Sequence, residues 1–186
     1  TREENFNCVR QVHGSITHSK VGVDAEGRIT AVDMKVIMDG GAYASTGPIA
    51  ASVAYIMIEE AYKFANLRYE AIRAYTNNPP RGMYPHHPRT AYAGLELQFD
   101  ALAEKLGMDP LEFRMKNAVH EGYITPTRSV ITSCAEVETM RLATEKAGWK
   151  EKRGHLPPYR GIGMGCGSVI SGFPMGIRGG SAAFVR

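Results

Sequence analysis

Residues 28–38 alternate in character. Thr30, Val32, Met34, Val36 and Met38 fall on one side, and Ile29, Ala31, Asp33, Lys35 and Ile37 on the other. The first set is almost wholly apolar, so the pattern predicts a strand with one buried face. Asp24-Ala-Glu-Gly27 precedes it as a turn, Gly27 being free to adopt positive φ. Residues 10–23 are rich in Val, Ile and Thr, so the two stretches together predict a β-hairpin. Small apolar residues at 49–60 predict a buried helix. Residues 67–76 predict another strand, stopped by Asn77-Asn-Pro-Pro80 because two prolines cannot donate to a ladder. Residues 81–90, with Gly82, Pro85 and Pro88, predict an irregular loop. Ala91, Leu95, Phe99, Leu102 and Leu106 recur at spacings of three and four, which predicts a helix over 91–106 ended by Gly107. Asp109 and Pro110 predict the N-cap and first position of a short helix. Ser133-x-x-Glu136 reads as a capping box opening a helix to Ala147, with Gly148 as its stop. Residues 150–153 read as a solvated linker and Leu156-Pro-Pro158 as a second one. A Gly-rich strand is expected at 160–170 and a final strand at 179–186. The mixture predicts an α+β fold with a mixed sheet. Residues 1–155 are expected to form one domain segment and 156–186 the start of a second.

Composition narrows the class. At 44% apolar the chain is too hydrophobic for long disorder. No apolar run reaches the roughly 18 to 20 residues that span a bilayer. The net charge of +3 is scattered and forms no face for nucleic acid. Three cysteines with no CxxC pair support neither a zinc ribbon nor a disulfide framework, so a reducing, cytoplasmic setting is expected. The chain opens at Thr1 rather than Met and closes inside a predicted strand, Ser181-Ala-Ala-Phe-Val-Arg186, so a piece of a longer polypeptide is expected.

Three stretches could carry chemistry. In Pro79-Pro-Arg-Gly-Met-Tyr-Pro-His-His-Pro88, Arg81 can grip an anionic oxygen in two-pronged fashion and Gly82 lets a ligand approach the backbone. His86 and His87 could be ligands or proton carriers, although neighbours in sequence tend to point apart, so no shared metal is expected. A rigid surface loop is the alternative. In Asp39-Gly-Gly-Ala-Tyr43, Gly40 and Gly41 permit close backbone approach to a cofactor, or simply make a tight turn. In Arg160-Gly-Ile-Gly-Met-Gly-Cys-Gly167 the glycines alternate, and Cys166 stands where a dinucleotide fingerprint needs its third Gly, so that reading is rejected. Alternating glycines would suit a close neighbour on one face, and Cys166 reads as a small buried thiol. No GxxxxGK[ST], HExxH or GxSxG occurs, which removes P-loop, zincin and α/β-hydrolase chemistry.

Taken in order, the motifs resemble a known family. They are Thr1-Arg-Glu-Glu4, Lys20-Val-Gly-Val-Asp-Ala-Glu-Gly-Arg-Ile-Thr-Ala31, Gly40-Gly-Ala-Tyr43 and Tyr75-Thr-Asn-Asn-Pro-Pro80. Glu96-x-x-x-Asp100, Leu102-Ala-Glu-Lys-Leu-Gly-Met-Asp-Pro-Leu-Glu-Phe-Arg-Met-Lys-Asn117, Gly148-Trp149 and Arg160-Gly-Ile-Gly-Met164 follow. The chain resembles the molybdenum-cofactor-binding large subunit of the xanthine dehydrogenase and aldehyde oxidase family. Within it the likeness is greatest to the α subunit of 4-hydroxybenzoyl-CoA reductase.

The resemblance implies a molybdopterin cofactor, in the cytosine dinucleotide form, carrying molybdenum. It also implies [2Fe–2S] clusters and FAD on partner subunits or domains, and a hetero-oligomer completed by the rest of the molybdenum-binding subunit. Hydroxylation or dehydroxylation of an aromatic, N-heterocyclic, aldehyde or aryl-CoA substrate would follow. A split or degenerate subunit that only scaffolds partners is the alternative. The family's Arg-Gly-(aromatic or His)-Gly loop maps in one of two registers. One places Arg81, Gly82, Met83 and Tyr84 on the cofactor beside Gly40 and Gly41. The other, counted back from the helix, puts Tyr84 at the Arg position and His86 at the aromatic one. His86, His87 and Phe173 are expected along the substrate channel. No Cys lies near residues 80–90, so the copper-ligating loop of carbon monoxide dehydrogenase is not expected. The family's Gly-Gln-Gly motif and general-base glutamate do not occur in these residues, so no catalytic residue is assigned.

Overall fold

The structure, a computed structural model, describes residues 1–8, 10–82 and 90–168. A short helix α1 (Arg2–Cys8) leads into strand β1 (Ser15–Val23). β1 pairs antiparallel with β2 (Ile29–Asp39), Ser15 opposite Met38 and Val21 opposite Val32, with an irregularity between Gly22 and Val23. Gly27, at φ +80°, closes the turn as expected. Helix α2 (Gly47–Glu59) then crosses to β3 (Leu67–Ala74), which runs parallel to β2 with Val32 opposite Leu67 and Asp39 opposite Ala74. The sheet order is β1-β2-β3, so the mixed sheet is present.

The alternation of β2 sets the core. Val32, Met34, Val36 and Met38 are all buried, as expected, whereas Thr30 is exposed and Ile29 buried at the strand's start. Each fully buried aliphatic side chain here contributes about 1.5–3 kcal/mol. Against this face pack Val53, Ala54, Met57 and Ile58 of α2. Helix α3 (Thr90–Leu106) adds Tyr92, Leu95, Phe99 and Ala103. The stripe of α3 is thus rotated from the expected one: Ala103 is fully buried, Leu102 only partly so, and Leu106 is exposed. Phe99 meets Tyr62 edge-on at 4.9 Å and Phe113 at 5.4 Å.

The following elements hang on this core. Helix α4 (Pro110–Asn117) starts as expected, Asp109 accepting from the Leu111 N–H at 2.7 Å with Pro110 in the first turn. Asn117 closes it and reaches back to the hairpin, donating to the Gly27 carbonyl and accepting from the Ile29 N–H, both at 2.9 Å. Helix α5 (Glu136–Ala147) ends at Gly148 with φ +66°. Its start corrects the expected capping box: Ala135 is the N-cap, it makes no side-chain cap bond, and Ser133 lies outside the first turn. Residues 150–153 are not a linker throughout, because Trp149–Lys152 form a helical turn, α6. The Trp149 indole holds it there, donating to the Asp109 carboxylate at 3.1 Å, while Arg153 lies over the ring. The expected Gly-rich strand is not formed over residues 160–168. That segment docks on α3 and α2 by single contacts, the Cys166 N–H donating to Glu96 of α3 at 3.0 Å and the Ser168 hydroxyl to the Met57 carbonyl of α2 at 2.8 Å. A Cβ added to Gly161, Gly163 or Gly167 would meet nothing within 4 Å, so these glycines are not explained by a close neighbour among the described residues. The expected strand at 179–186 lies outside the described residues. Among the described residues no helix is long and apolar enough to cross a membrane.

Candidate functional site

The parallel strands β2 and β3 end side by side, and ligands of α/β sheets gather at the carboxyl ends of such strands. Here the chain crosses itself. The Asp39 N–H donates to the Gly14 carbonyl at 2.8 Å, the Gly40 N–H to Ala74 at 2.8 Å and the Thr76 N–H to Gly41 at 3.1 Å. The Arg81 N–H donates to Gly40 at 3.2 Å and the Gly82 N–H to Gln11 at 3.0 Å. Segments 10–14, 39–42 and 74–82 are thereby tied into one knot of backbone.

Asp39 is its polar centre. Its carboxylate accepts from the Thr76 hydroxyl at 2.5 Å, the Gly41 N–H at 3.1 Å, the Asn78 amide at 2.7 Å and Arg81 at 3.5 Å. The Thr76 hydrogen bond, with those from Gly41 and Asn78 and the Arg81 charge, holds the Asp39 carboxyl down at about 2.

The glycines make room for chain and for arginine. Gly41 sits at φ +71°, and a Cβ there would fall 2.2 Å from the Pro79 carbonyl oxygen. A Cβ on Gly40 would fall 2.5 Å from the Arg73 guanidinium carbon, and one on Gly47 would fall 1.8 Å from its Nε. Arg73 uses that space as a clamp, donating to the carbonyls of Gly40 and Tyr43, the latter at 2.9 Å. Its Nε also donates to His13 Nε2 at 3.4 Å. Arg10 packs over Gly82 and donates to Ser45.

Two side-chain donors have no partner among the described residues. His13 is fully buried, and burial together with the charge of Arg73 keeps its pKa below the ordinary imidazole value. A neutral ring whose Nε2 accepts from Arg73 carries its proton on Nδ1, and Nδ1 has no partner among the described residues. Arg81 Nε is likewise buried, with no partner among the described residues. A buried N–H left unmade costs about 1–3 kcal/mol, so two in one knot call for an acceptor.

A second polar cluster lies under α3. Glu96 accepts from Arg114 Nε at 2.8 Å, the Tyr62 hydroxyl at 2.5 Å and the Cys166 N–H at 3.0 Å. Arg114, fully buried, also donates to Asp100 at 2.8 Å and to the carbonyls of Pro110 and Glu96 at 3.2 and 3.1 Å. Burial pushes the Cys166 thiol up to about 11, so it is held protonated at neutral pH; it is half-buried against the core rather than the fully buried thiol expected. Burial, and then Glu96, pushes the nearby Glu136 carboxyl up to about 7. Glu136 lines a cavity of about 670 Å³ between α5 and residues 162–168, beside Glu60, Cys134 and Met140. Among the described residues no group of three or more His, Cys, Asp and Glu side chains could hold a metal ion.

Of the residues singled out from the sequence, Gly40, Gly41, Arg81 and Gly82 come together in the knot. Met83, Tyr84, His86, His87 and Phe173 lie outside the described residues. His13 and Arg73 escaped sequence reasoning. One sits in a stretch legible only as extended, and the other is one position in an alternating strand; no local motif marks either.

A βαβ unit extended by a hairpin strand, with a donor-rich knot at the strand ends, defines an α+β domain. Comparison then identifies the family: residues 1–118 match the molybdopterin cofactor-binding domain, and the chain belongs to that family. It is 36% identical over 150 residues to the nicotinate dehydrogenase large molybdopterin subunit of Eubacterium barkeri, covering 79% of this chain and 35% of that one. It is 30% identical over 186 residues to the putative xanthine dehydrogenase molybdenum-binding subunit of Escherichia coli, covering 95% of this chain and 25% of that one. The chain therefore spans only about a quarter to a third of these relatives. In fold it matches the aldehyde oxidoreductase of Desulfovibrio gigas with a TM-score of 0.74 at 22% identity, over 84% of this chain and 18% of that one.

Proposed function

We propose that the chain is the first cofactor-binding part of the catalytic subunit of a molybdenum hydroxylase, an oxidoreductase. Its cofactor would be a molybdenum-bearing molybdopterin, in the cytosine dinucleotide form. The observation that carries this is the pair of buried donors with no partner among the described residues, His13 Nδ1 and Arg81 Nε, at the carboxyl ends of β2 and β3. They fit a cofactor that is phosphorylated and anionic. When bound, that group supplies two-electron redox chemistry with water as the oxygen source. The residues of this chain bind and orient it. Arg81 and Gly82 would face it, Asp39 fixes Arg81, and Gly40 and Gly41 let the segments cross closely enough to form the cradle. Met83 and Tyr84 would continue that contact, and His86, His87 and Phe173 would line the substrate's approach. Iron–sulfur and FAD partner subunits would carry electrons away in a cytoplasmic hetero-oligomer, with residues 156–186 opening the next domain of the subunit.

Oxidation of an N-heterocycle or aldehyde is the substrate class favoured, supported by the likeness to a nicotinate dehydrogenase subunit. Aryl-CoA dehydroxylation is the second reading, supported by Tyr75-Thr-Asn-Asn-Pro-Pro80 and Gly148-Trp-Lys-Glu151. The test is to purify the full-length subunit with its partner chains and measure molybdenum and extractable pterin. Turnover of nicotinate, xanthine, an aromatic aldehyde and 4-hydroxybenzoyl-CoA is then compared. Molybdenum with turnover of one of the first three is the expected result. A complex assembled without molybdenum or pterin overturns the reading in favour of a scaffold.

A further inference from the structure

We propose that the outer edge of β3 is a docking site for a β-strand, supplied by the part of the same subunit that lies outside residues 1–186. This rests on the preceding reading only in placing the chain within a longer catalytic subunit; it spans 35% and 25% of the two molybdenum subunits compared above.

The sheet ends at β3, in the order β1-β2-β3. In a parallel pair each residue turns its N–H and C=O to one side, and the side alternates along the strand. The Val32 N–H donates to the Asn66 carbonyl at 2.9 Å and the Gly40 N–H to that of Ala74 at 2.8 Å. Asn66, Arg68, Glu70, Ile72 and Ala74 therefore face β2. Leu67, Tyr69, Ala71 and Arg73 face outward, and no bond among the described residues reaches their backbone groups. A long regular edge of this kind is a liability that proteins blunt with a proline or a bulge. β3 has neither: its eight residues keep an unbroken register with β2 from Leu67 to Ala74.

Beside this edge there is room for a strand. A cavity of about 970 Å³ lies between β3 and α2, with Tyr55, Ile56, Leu67, Tyr69 and Ala71 in its lining. The Tyr55 and Tyr69 rings are 5.4 Å apart, and the Tyr69 hydroxyl donates to the Ala51 carbonyl at 3.3 Å, so this wall is fixed in advance. An added strand would bond to the outward backbone groups and lay every second side chain against these rings, so apolar residues are expected at those positions. Its other side chains would cover Ile72, which is exposed on the opposite face of the sheet. A strand of the same polypeptide is favoured over a partner's because it is tethered. It closes the edge as the subunit folds, before the edge can pair with another copy.

Hydrogen–deuterium exchange of the full-length subunit, purified without its partner chains and read amide by amide, tests this. The amides of Leu67, Tyr69, Ala71 and Arg73 are expected to be protected to within about tenfold of those of Arg68, Glu70 and Ile72, which bond to β2. Protection weaker than that overturns the docking site. Ala71→Pro removes one outward donor and no bond to β2, so an open edge would tolerate it. It is expected to speed exchange at Tyr69 and Arg73 at least about tenfold, and a smaller change overturns the proposal. If the variant fails to fold, exchange in the wild type still decides. Protection that appears only with the partner chains, or only when the subunit dimerises, overturns the assignment to its own chain. Molybdenum and pterin in the same preparation report separately on the proposed function. Protected amides in a subunit that carries neither support the docking site while that reading fails, and open amides in a loaded subunit do the reverse.

Discussion

The two polar clusters of this domain are built from the same kinds of group and finish in opposite conditions. Around Arg114 the donors and acceptors close on themselves: a fully buried guanidinium meets two carboxylates and two carbonyls, and Glu96 collects the hydroxyl of Tyr62 and the N–H of Cys166. At the ends of β2 and β3 the accounting does not close, because His13 Nδ1 and Arg81 Nε are buried without acceptors among the described residues. A saturated buried network specifies packing; an unsaturated one waits for a ligand. That contrast separates a structural cluster from a binding site without reference to residue type.

The comparison can be broken most forcefully at the saturated end. Arg114→Met leaves Glu96 buried without its cation, and is expected to cost about 3–5 kcal/mol in denaturant unfolding. A loss under about 1 kcal/mol would mean that the pair behaves as a surface bridge. Gly41→Ala attacks the other cluster through the backbone. The positive φ and the overlap with the Pro79 carbonyl are expected to cost about 2 kcal/mol or more. Stability equal to wild type would show that the crossing relaxes freely. Asp109→Ala is expected to cost about 1 kcal/mol through the lost cap, and Ser133→Ala less than about 0.5 kcal/mol, because Ala135 holds the N-cap position of α5. Equal losses from the two would restore the capping box.

The two clusters also respond to pH, with opposite signs. The folded state holds Asp39 down from 3.8 to about 2, so its contribution is complete above the unfolded value and is lost as pH falls toward 2. Glu136 is raised from 4.5 to about 7, so its neutral form favours folding below the unfolded value, and that benefit is lost as pH rises through 7. Glu136→Gln is therefore expected to raise the melting temperature relative to wild type above pH 7, and to leave it unchanged below the unfolded value of 4.5. A pH-independent difference between the two proteins would contradict this.

Much of the scaffold was legible in the sequence. Alternation in β2, the glycine after α3, the Asp109–Pro110 start and the Gly148 stop are local signals, and each acts where it stands. What escaped was non-local. On α3 the stripe runs through Tyr92, Leu95, Phe99 and Ala103, in one cluster with Tyr62 and Phe113 from other elements, a surrounding that the spacing within α3 does not show. Residues 160–168 carry strand-like alternation but find no ladder partner among the described residues, so they bond singly to Glu96, Tyr92 and Met57. In the site, Arg81 and the two glycines stood out because loops of that composition are unusual. His13 and Arg73 are 60 residues apart, and they meet only because β1, which follows His13, and β3, which carries Arg73, both pair with β2. The saturated cluster was hidden for the same reason, with 18 residues separating Glu96 from Arg114.

The most direct measurement of the contrast is the molybdenum and pterin retained per subunit by Arg81→Gln and by Glu136→Gln, each in the assembled protein after gel filtration. Arg81→Gln, at the unsaturated knot, is expected to hold the cofactor roughly tenfold more weakly while keeping the wild-type circular dichroism spectrum. Glu136→Gln, beside the saturated cluster, is expected to retain wild-type amounts. Full retention by Arg81→Gln, or equal loss by both, would contradict the assignment of one cluster to binding and the other to structure.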